Sequence, residues 1–473
     1  MAANENKISL KLMVHKAKRQ VAFAEADYTF LDTLFSIMTF PMSTIVRLLD
    51  KCPDQNLQAL GSLKNLYKSL EELPECYFSN EESKFMMLNP RTSAYDHCRE
   101  LKLNIDDTEP TKYFICERGC TEFRSAYFST SIFPICPYCL KIMNREVKYD
   151  DSNDLLKIRS HRDDLDVFVP SLTTFIVTDD LNVMPNTLDF SIPLACDLGF
   201  TDSSQLEEMT FDIGREQMVI LVKAALLFKN PLSYLVFHAT HPSGVLVNPR
   251  LGTSIQLLTS NEDDPNPYFK KMTLRVAWQK STSKFLFAEA EENFVDFLFG
   301  FLEIPLGTLI GKLMNGNTSF ECLDNLFASI SNMSVGRCIN SEVRKDLLIK
   351  PALQWKYVSV NQIFPLDVSC FETYLEGCNR KLNDPRVKGS FLKAPTQFML
   401  TDDLVITPLS SISGFSMLNK LKVPLNDVER HSVTIGIEEA LKILKASLKS
   451  SSTFTDALLE EIIQRNWLCH FDF

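Results

Sequence analysis

The stretch ISLKLMVHKAKRQVAFAEADYTFLDTLFSIMTFPMSTIVRLL, residues 8–49, decides the fold. It returns without a gap as MTLRVAWQKSTSKFLFAEAEENFVDFLFGFLEIPLGTLIGKL, residues 272–313. In the first version Ile8, Leu10, Leu12 and Val14 alternate with Ser9, Lys11 and Met13, the period of a strand with one face buried. A polar turn over Lys16 to Gln20 follows, and Val21, Phe23 and Glu25 continue at period two, so the segment reads as a β-hairpin. Phe30, Leu31, Leu34, Phe35 and Met38 then recur at helical spacing until Pro41 stops the helix. A short helix over Ser43 to Leu49 and a third around Asn56 to Glu71 complete the unit, the last with Leu57, Leu60, Leu63, Leu66, Tyr67 and Leu70 on one stripe.

Thirteen positions recur at a spacing of 264, among them Phe23, Ala24, Glu25, Ala26, Phe30, Asp32, Pro41 and Leu49, whose partners lie between Leu274 and Leu313. Leu63, Asn65, Leu66 and Ser69 return as Leu323, Asn325, Leu326 and Ser329. Later, Thr178-Asp179-Asp180-Leu181 returns as Thr401-Asp402-Asp403-Leu404, and Ile213-Gly214 with Glu216 as Ile435-Gly436 with Glu438. This pattern predicts an α+β fold of two tandem homologous copies, each a β-hairpin followed by helices and a later strand-helix unit. Residues 1–250 form the first copy, 251–267 a linker rich in Asn, Asp and Pro, and 268–473 the second. Between Pro90 and Phe175 the spacing of the copies shrinks by about the length of 111–149, a segment with four cysteines and no counterpart in the second copy. It reads as a separable zinc-ribbon-like insertion.

The chain has 473 residues, 45% hydrophobic and 23% charged, which suits two or three soluble globular domains. Its net charge of -11 opposes whole-chain binding to a phosphate backbone. The most apolar windows, Met218 to Phe228 and Phe294 to Pro305, are short and interrupted by Lys223, Asp296 and Glu303, so no membrane span is expected. Met1 to Lys16 lacks the basic start and apolar run of a secretory signal. Thirteen scattered cysteines fit reduced thiols in the cytoplasm or nucleus better than a disulfide framework.

The Phe-Ala-Glu-Ala strand, the helix that ends at Pro41 or Pro305, the paired Thr-Asp-Asp-Leu segments and Cys136-Pro137-Tyr138-Cys139 together resemble the plant-specific domain of unknown function 674 family. The resemblance is specific at Phe294-Val295-Asp296-Phe297-Leu298-Phe299, at Pro305-Leu306-Gly307-Thr308 and at Ile435-Gly436-Ile437-Glu438-Glu439-Ala440-Leu441. It implies a plant intracellular protein and carries no activity.

Cys116-Glu117-Arg118-Gly119-Cys120, then fifteen residues, then Cys136-Pro137-Tyr138-Cys139 has the two-pair form of a zinc site. Gly119 and Pro137 favour the tight turns that such pairs need. Cys116, Cys120, Cys136 and Cys139 are therefore the expected ligands of a structural zinc, closed to water and so to hydrolytic chemistry. Arg118, Arg124, Lys141, Arg145 and Lys148 give the segment basic character, but Glu117, Glu122, Glu146, Asp150, Asp151 and Asp154 offset it, so nucleic acid is a disfavoured partner. Glu25 and Glu289 share a strand face with Phe23 and Phe287, which would set an acid beside a core aromatic; the blander duty is to meet the N–H groups of the next helix. Asp32 and Asp296 read as the polar edge of the first helix, and Asp179-Asp180 with Asp402-Asp403 as turn or cap residues or, alternatively, a cation site. His238-Ala239-Thr240-His241 lacks the Glu and the helix of a zinc hydrolase. No phosphate loop, nucleophile elbow or dinucleotide fingerprint is present. The sequence thus points to a non-enzymatic binding or scaffold protein with a protein partner. An enzyme using the cleft between copies and a nucleic-acid-associated regulator are the alternatives.

Overall fold

The structure, a computed structural model, describes residues 7–52, 59–110, 112–118, 120, 127–147, 167–198, 202–237, 270–369, 381–383, 386 and 389–458. The expected linker at 251–267 lies outside them.

Helices mix with two five-stranded antiparallel sheets, an α+β fold. The first sheet runs in the order Val183–Pro185, Phe175–Thr178, Gln20–Ala26, Ile8–His15, Glu207–Ile213. The second runs Ile406–Pro408, Gln397–Leu400, Lys284–Glu291, Met272–Gln279, Val428–Ile435, the same strand order. Each hairpin also carries its irregularity at an equivalent place, Ala22 in the first and Leu286 in the second standing opposite no single partner. Such an extra residue breaks the alternation. Val21 and Ala24 are both buried as a result, while Phe23 is half-buried and Glu25 exposed. The face shared by Phe23 and Glu25 is therefore the outer face of the sheet, and the expectation of a carboxylate beside a core aromatic fails in this sheet. In the second sheet the same face is covered by the helix Ser411–Leu421, whose Leu418 and Met417 pack with Leu286, Phe287 and Met399.

The inner faces of both sheets and the helices against them share one continuous core. The helix Tyr28–Ser36 starts on Asp27, whose side chain accepts from Phe30 N at 3.1 Å. It then stops at Ser36, passes through a tight turn at Ile37–Thr39, and Pro41 opens the next helix, Met42–Asp50. Its counterpart Glu292–Phe299 is buried from Phe294 onwards: Phe294, Phe297 and Phe299 are fully buried, and each stabilises the core by about 1.5–3 kcal/mol. Asp32 and Asp296 do not mark a polar edge. Both are buried, because their carboxylates bind main chain from distant segments. Asp32 accepts from Val167 N, Phe168 N and Val169 N at 3.3, 3.0 and 2.9 Å, and Asp296 accepts from Phe391 N at 3.3 Å and Asn361 Nδ2 at 2.8 Å.

The halves meet reciprocally. Pro41 bridges Pro305, with Met42 N donating to Ile304 O at 3.0 Å and Leu306 N to Phe40 O at 2.9 Å. Thr92 bridges Leu353, with Ser93 N to Ala352 O at 2.8 Å and Gln354 N to Arg91 O at 3.2 Å. Further out, the helix Leu63–Glu72 of the first half lies on the edge of the second sheet, where Ser69 Oγ accepts from Ile406 N at 3.0 Å. The helix Glu321–Asn332 of the second half returns the contact, Ser329 Oγ accepting from Val183 N at 3.0 Å. Among the described residues, no helix is long and apolar enough to cross a membrane.

Candidate metal centre

The strand Tyr113–Ile115 leads into Cys116 and pairs antiparallel with Arg145–Val147, which brings the two ends of the cysteine segment together. Phe114 exchanges two main-chain hydrogen bonds with Ser129, at 2.7 and 2.9 Å, and fixes the middle. Cys136 and Cys139 sit on a tight turn closed by Leu140 N to Cys136 O at 2.9 Å and Cys136 N to Lys141 O at 2.8 Å. Leu140 has a φ of 52°, a left-handed conformation that lets the chain turn back under the sulfurs. On the other side Cys120 N points at Cys116 Sγ, 3.4 Å away, as an amide does towards a thiolate.

The outcome is that the four Sγ atoms of Cys116, Cys120, Cys136 and Cys139 lie within 4.8 Å of one another. A tetrahedral zinc with bonds of about 2.3 Å sets its sulfurs roughly 3.8 Å apart, so a contraction of less than about 1 Å closes the site. Cys116 and Cys136 are buried against Met143, and Cys120 and Cys139 are half-buried. Crowding resists ionisation: the hydrogen bond with Cys116 and burial push the Cys120 thiol up to about 12, so a cation must displace its proton. Gly119 lies outside the described residues. The segment is tied to the second half, since Lys381–Leu382 pairs in parallel with Tyr127–Phe128, and Asn383 donates to Phe128 O at 2.9 Å and Ile135 O at 3.0 Å.

The other candidates are dispersed. Glu25 stands opposite Lys11 on the outer face of the first sheet, and neither it nor Glu289 caps the helix that follows; Asp27 does so in the first half. Glu289 lies on the outer face of the second sheet, within 3.7 Å of Arg275 and 3.6 Å of Arg430. Asp179 accepts from Ser233 N at 2.8 Å, Asn230 Nδ2 at 3.1 Å and Ser233 Oγ, which holds the start of the helix Pro231–Phe237. Burial outweighs these bonds and pushes its carboxyl up to about 6. Its counterpart Asp402 does the same for the helical turn at 453–458, accepting from Thr455 N at 2.8 Å and Thr455 Oγ1 at 2.6 Å. Asp180 and Asp403 receive the amides of Asn325 and Asn65 from the opposite half. Arg124, Lys148, Glu122, Asp150, Asp151, Asp154, His238 and His241 lie outside the described residues.

A cavity of about 810 Å³ opens between the first sheet's edge and the helix Glu321–Asn332, with Asp179, Asp180, Asn230, Lys229, Glu321 and Cys338 in its lining. Lys229 and Glu321 pair at 2.6 Å on its wall. Glu303, which the sequence marks only as a break in an apolar window, is fully buried, and its two carboxylate oxygens have no hydrogen-bond partner among the described residues. Burial and the neighbouring Asp296 push its pKa well above the usual carboxylate range. The signal was a mismatch between the two recurring stretches, because Thr39 stands at the position that corresponds to Glu303.

No curated protein and no solved structure matches the chain. The family model described as "Protein of unknown function (DUF674)" matches residues 4–438, and the chain belongs to that family.

Proposed function

We propose that the chain is a binding or scaffold protein of the plant cell interior, cytoplasmic or nuclear, rather than an enzyme. It is built from two tandem homologous copies, 1–250 and 268–473, joined by 251–267. A zinc-ribbon-like insertion at 111–149 holds one structural zinc on Cys116, Cys120, Cys136 and Cys139. The observation that carries this reading is how the recurring carboxylates are used. Asp32, Asp179, Asp180, Asp296, Asp402 and Asp403 are engaged by main-chain amides, hydroxyls and amide side chains that assemble the two halves. For the metal, the support is four converging sulfurs and an amide already directed at one of them. Thirteen cysteines scattered over a long chain, an odd number, favour a reducing compartment. The test is cross-linking capture of partners from plant extract with the wild type and with Cys136→Ser/Cys139→Ser. A stoichiometric protein partner supports the reading, and its dependence on the cysteines assigns the insertion a share in it.

A second reading, an enzyme acting between the halves, draws on the cavity and on Asp179, whose raised pKa is the kind that acid-base chemistry uses. It requires a small molecule that stabilises the wild type in a thermal-shift screen and is lost when Ala328, which also lines the cavity, is enlarged to fill it in Ala328→Trp.

A further inference from the structure

The turn that carries Cys136 and Cys139 has a second property that the metal does not use. Ile132, Phe133, Ile135, Tyr138, Leu140 and Ile142 are all exposed, Leu140 by 77% and Ile142 by 53%. Single exposed apolar side chains are ordinary, but six large ones within eleven residues form a patch. Their backbone is a hairpin in which Ile135 bridges Ile142. The bridge's hydrogen bonds are made by the flanking residues, Cys136 N to Lys141 O at 2.8 Å and Met143 N to Pro134 O at 3.0 Å. In such a pair the N–H and C=O of the two facing residues point away from the hairpin. On one side that outward carbonyl, Ile135 O, is taken by Asn383 Nδ2 at 3.0 Å. On the other, Ile142 offers its N–H and C=O at an outer edge beside its own exposed side chain.

We propose that this edge docks an extended, uncharged, apolar segment of another protein by strand addition. The cysteine segment already accepts strands in this way, since Lys381–Leu382 of the second half pairs with Tyr127–Phe128, and the patch continues from that junction. Charge sets the character of the occupant. From Tyr127 to Arg145 the only charged side chains are Lys141 and Arg145, in a chain of net charge -11. A zinc held by four thiolates brings two net negative charges beside those two cations. The patch is then close to neutral, and a charged peptide would gain nothing there, whereas alternate apolar side chains would bury against Leu140, Ile142 and Ile132. This proposal rests on the metal reading, because the charge of the metal site is what brings the patch close to neutral.

The test is selection from a displayed library of random short peptides on the full chain, with zinc content measured on the same samples. The expected result is enrichment of uncharged peptides rich in β-branched and aromatic residues. Their affinity, read by fluorescence anisotropy, falls at least about tenfold in Leu140→Ser/Ile142→Ser, while zinc is retained. Zinc-loaded protein that enriches nothing, or equal affinity in the double variant, overturns the docking alone. Wild type without zinc overturns the metal reading and this proposal with it. Leu140-dependent binding to phosphatidylcholine vesicles, or a Leu140-dependent dimer in sedimentation without peptide enrichment, also overturns it.

Discussion

Asn65, on a helix of the first half, donates its side-chain amide to both the main-chain carbonyl and the carboxylate of Asp403 in the second half, at 2.9 and 3.2 Å. Asn325 makes the same pair of bonds to Asp180 in the first, at 3.1 and 3.3 Å. Each is a half-buried contact to a carboxylate, and removing it leaves that acceptor short of a partner. Asn65→Ala and Asn325→Ala should therefore each destabilise the protein by about 1–3 kcal/mol, by similar amounts, in urea unfolding. The transition should stay single in both variants; two separated transitions would show that the halves fold independently.

Gly307 stands at the junction beside Pro305, and a Cβ there would meet Leu348 O at 2.2 Å and Met38 O at 3.1 Å. Neither is the end of a flexible side chain, so backbone has to move. Gly307→Ala should destabilise severely, by more than about 3 kcal/mol, or leave the protein insoluble. Gly414, in the helix Ser411–Leu421, has nothing within 4 Å of the same position. Gly414→Ala should stabilise by about 0.5–1 kcal/mol, and thermal unfolding of the two variants side by side checks the contrast.

Asp179 titrates near 6 in the folded protein against 3.8 for the free group, chiefly through burial. Between those values the folded state keeps a proton that the unfolded state has lost. Stability from this group is thus present below pH 4 and declines as pH rises towards 6, by about 3 kcal/mol at most. Asp179→Asn removes the titration. Its urea midpoint, plotted against pH from 4 to 6 beside that of the wild type, should show a curve without this decline; superimposable slopes would refute the assignment.

For the cysteines, metal analysis of purified wild type should give close to one zinc per chain, falling to background in Cys136→Ser/Cys139→Ser. A chelator should lower the thermal midpoint of the wild type and leave that of the variant unchanged. A metal-free wild type with an unaltered midpoint would end the zinc reading.

What the sequence made legible was whatever depends on neighbours along the chain. The hairpin Ile8 to Glu25, the helix from Phe30 and the four-cysteine spacing all announce themselves through period or local turn chemistry. What it hid depends on distant contacts. The period-two run through Phe23 and Glu25 was sound, yet one extra residue at Ala22 turned that face outward. Asp32 sits where a helix's polar edge would fall, but its partners are amides at 167–169, which no spacing within the helix reveals. Asn65 and Asn325 were visible as recurring residues, and only the folded chain shows that each reaches into the other half.

The reciprocal placement of the two helices has a consequence during synthesis. The first sheet's edge at Val183 is completed by Ser329, which leaves the ribosome long after the strands it seals. With 146 residues between Val183 and Ser329, synthesis at about 5–20 residues per second leaves that edge open for roughly 7–30 seconds. Until the helix Glu321–Asn332 has emerged, a nascent chain presents that edge to its neighbours on the same message.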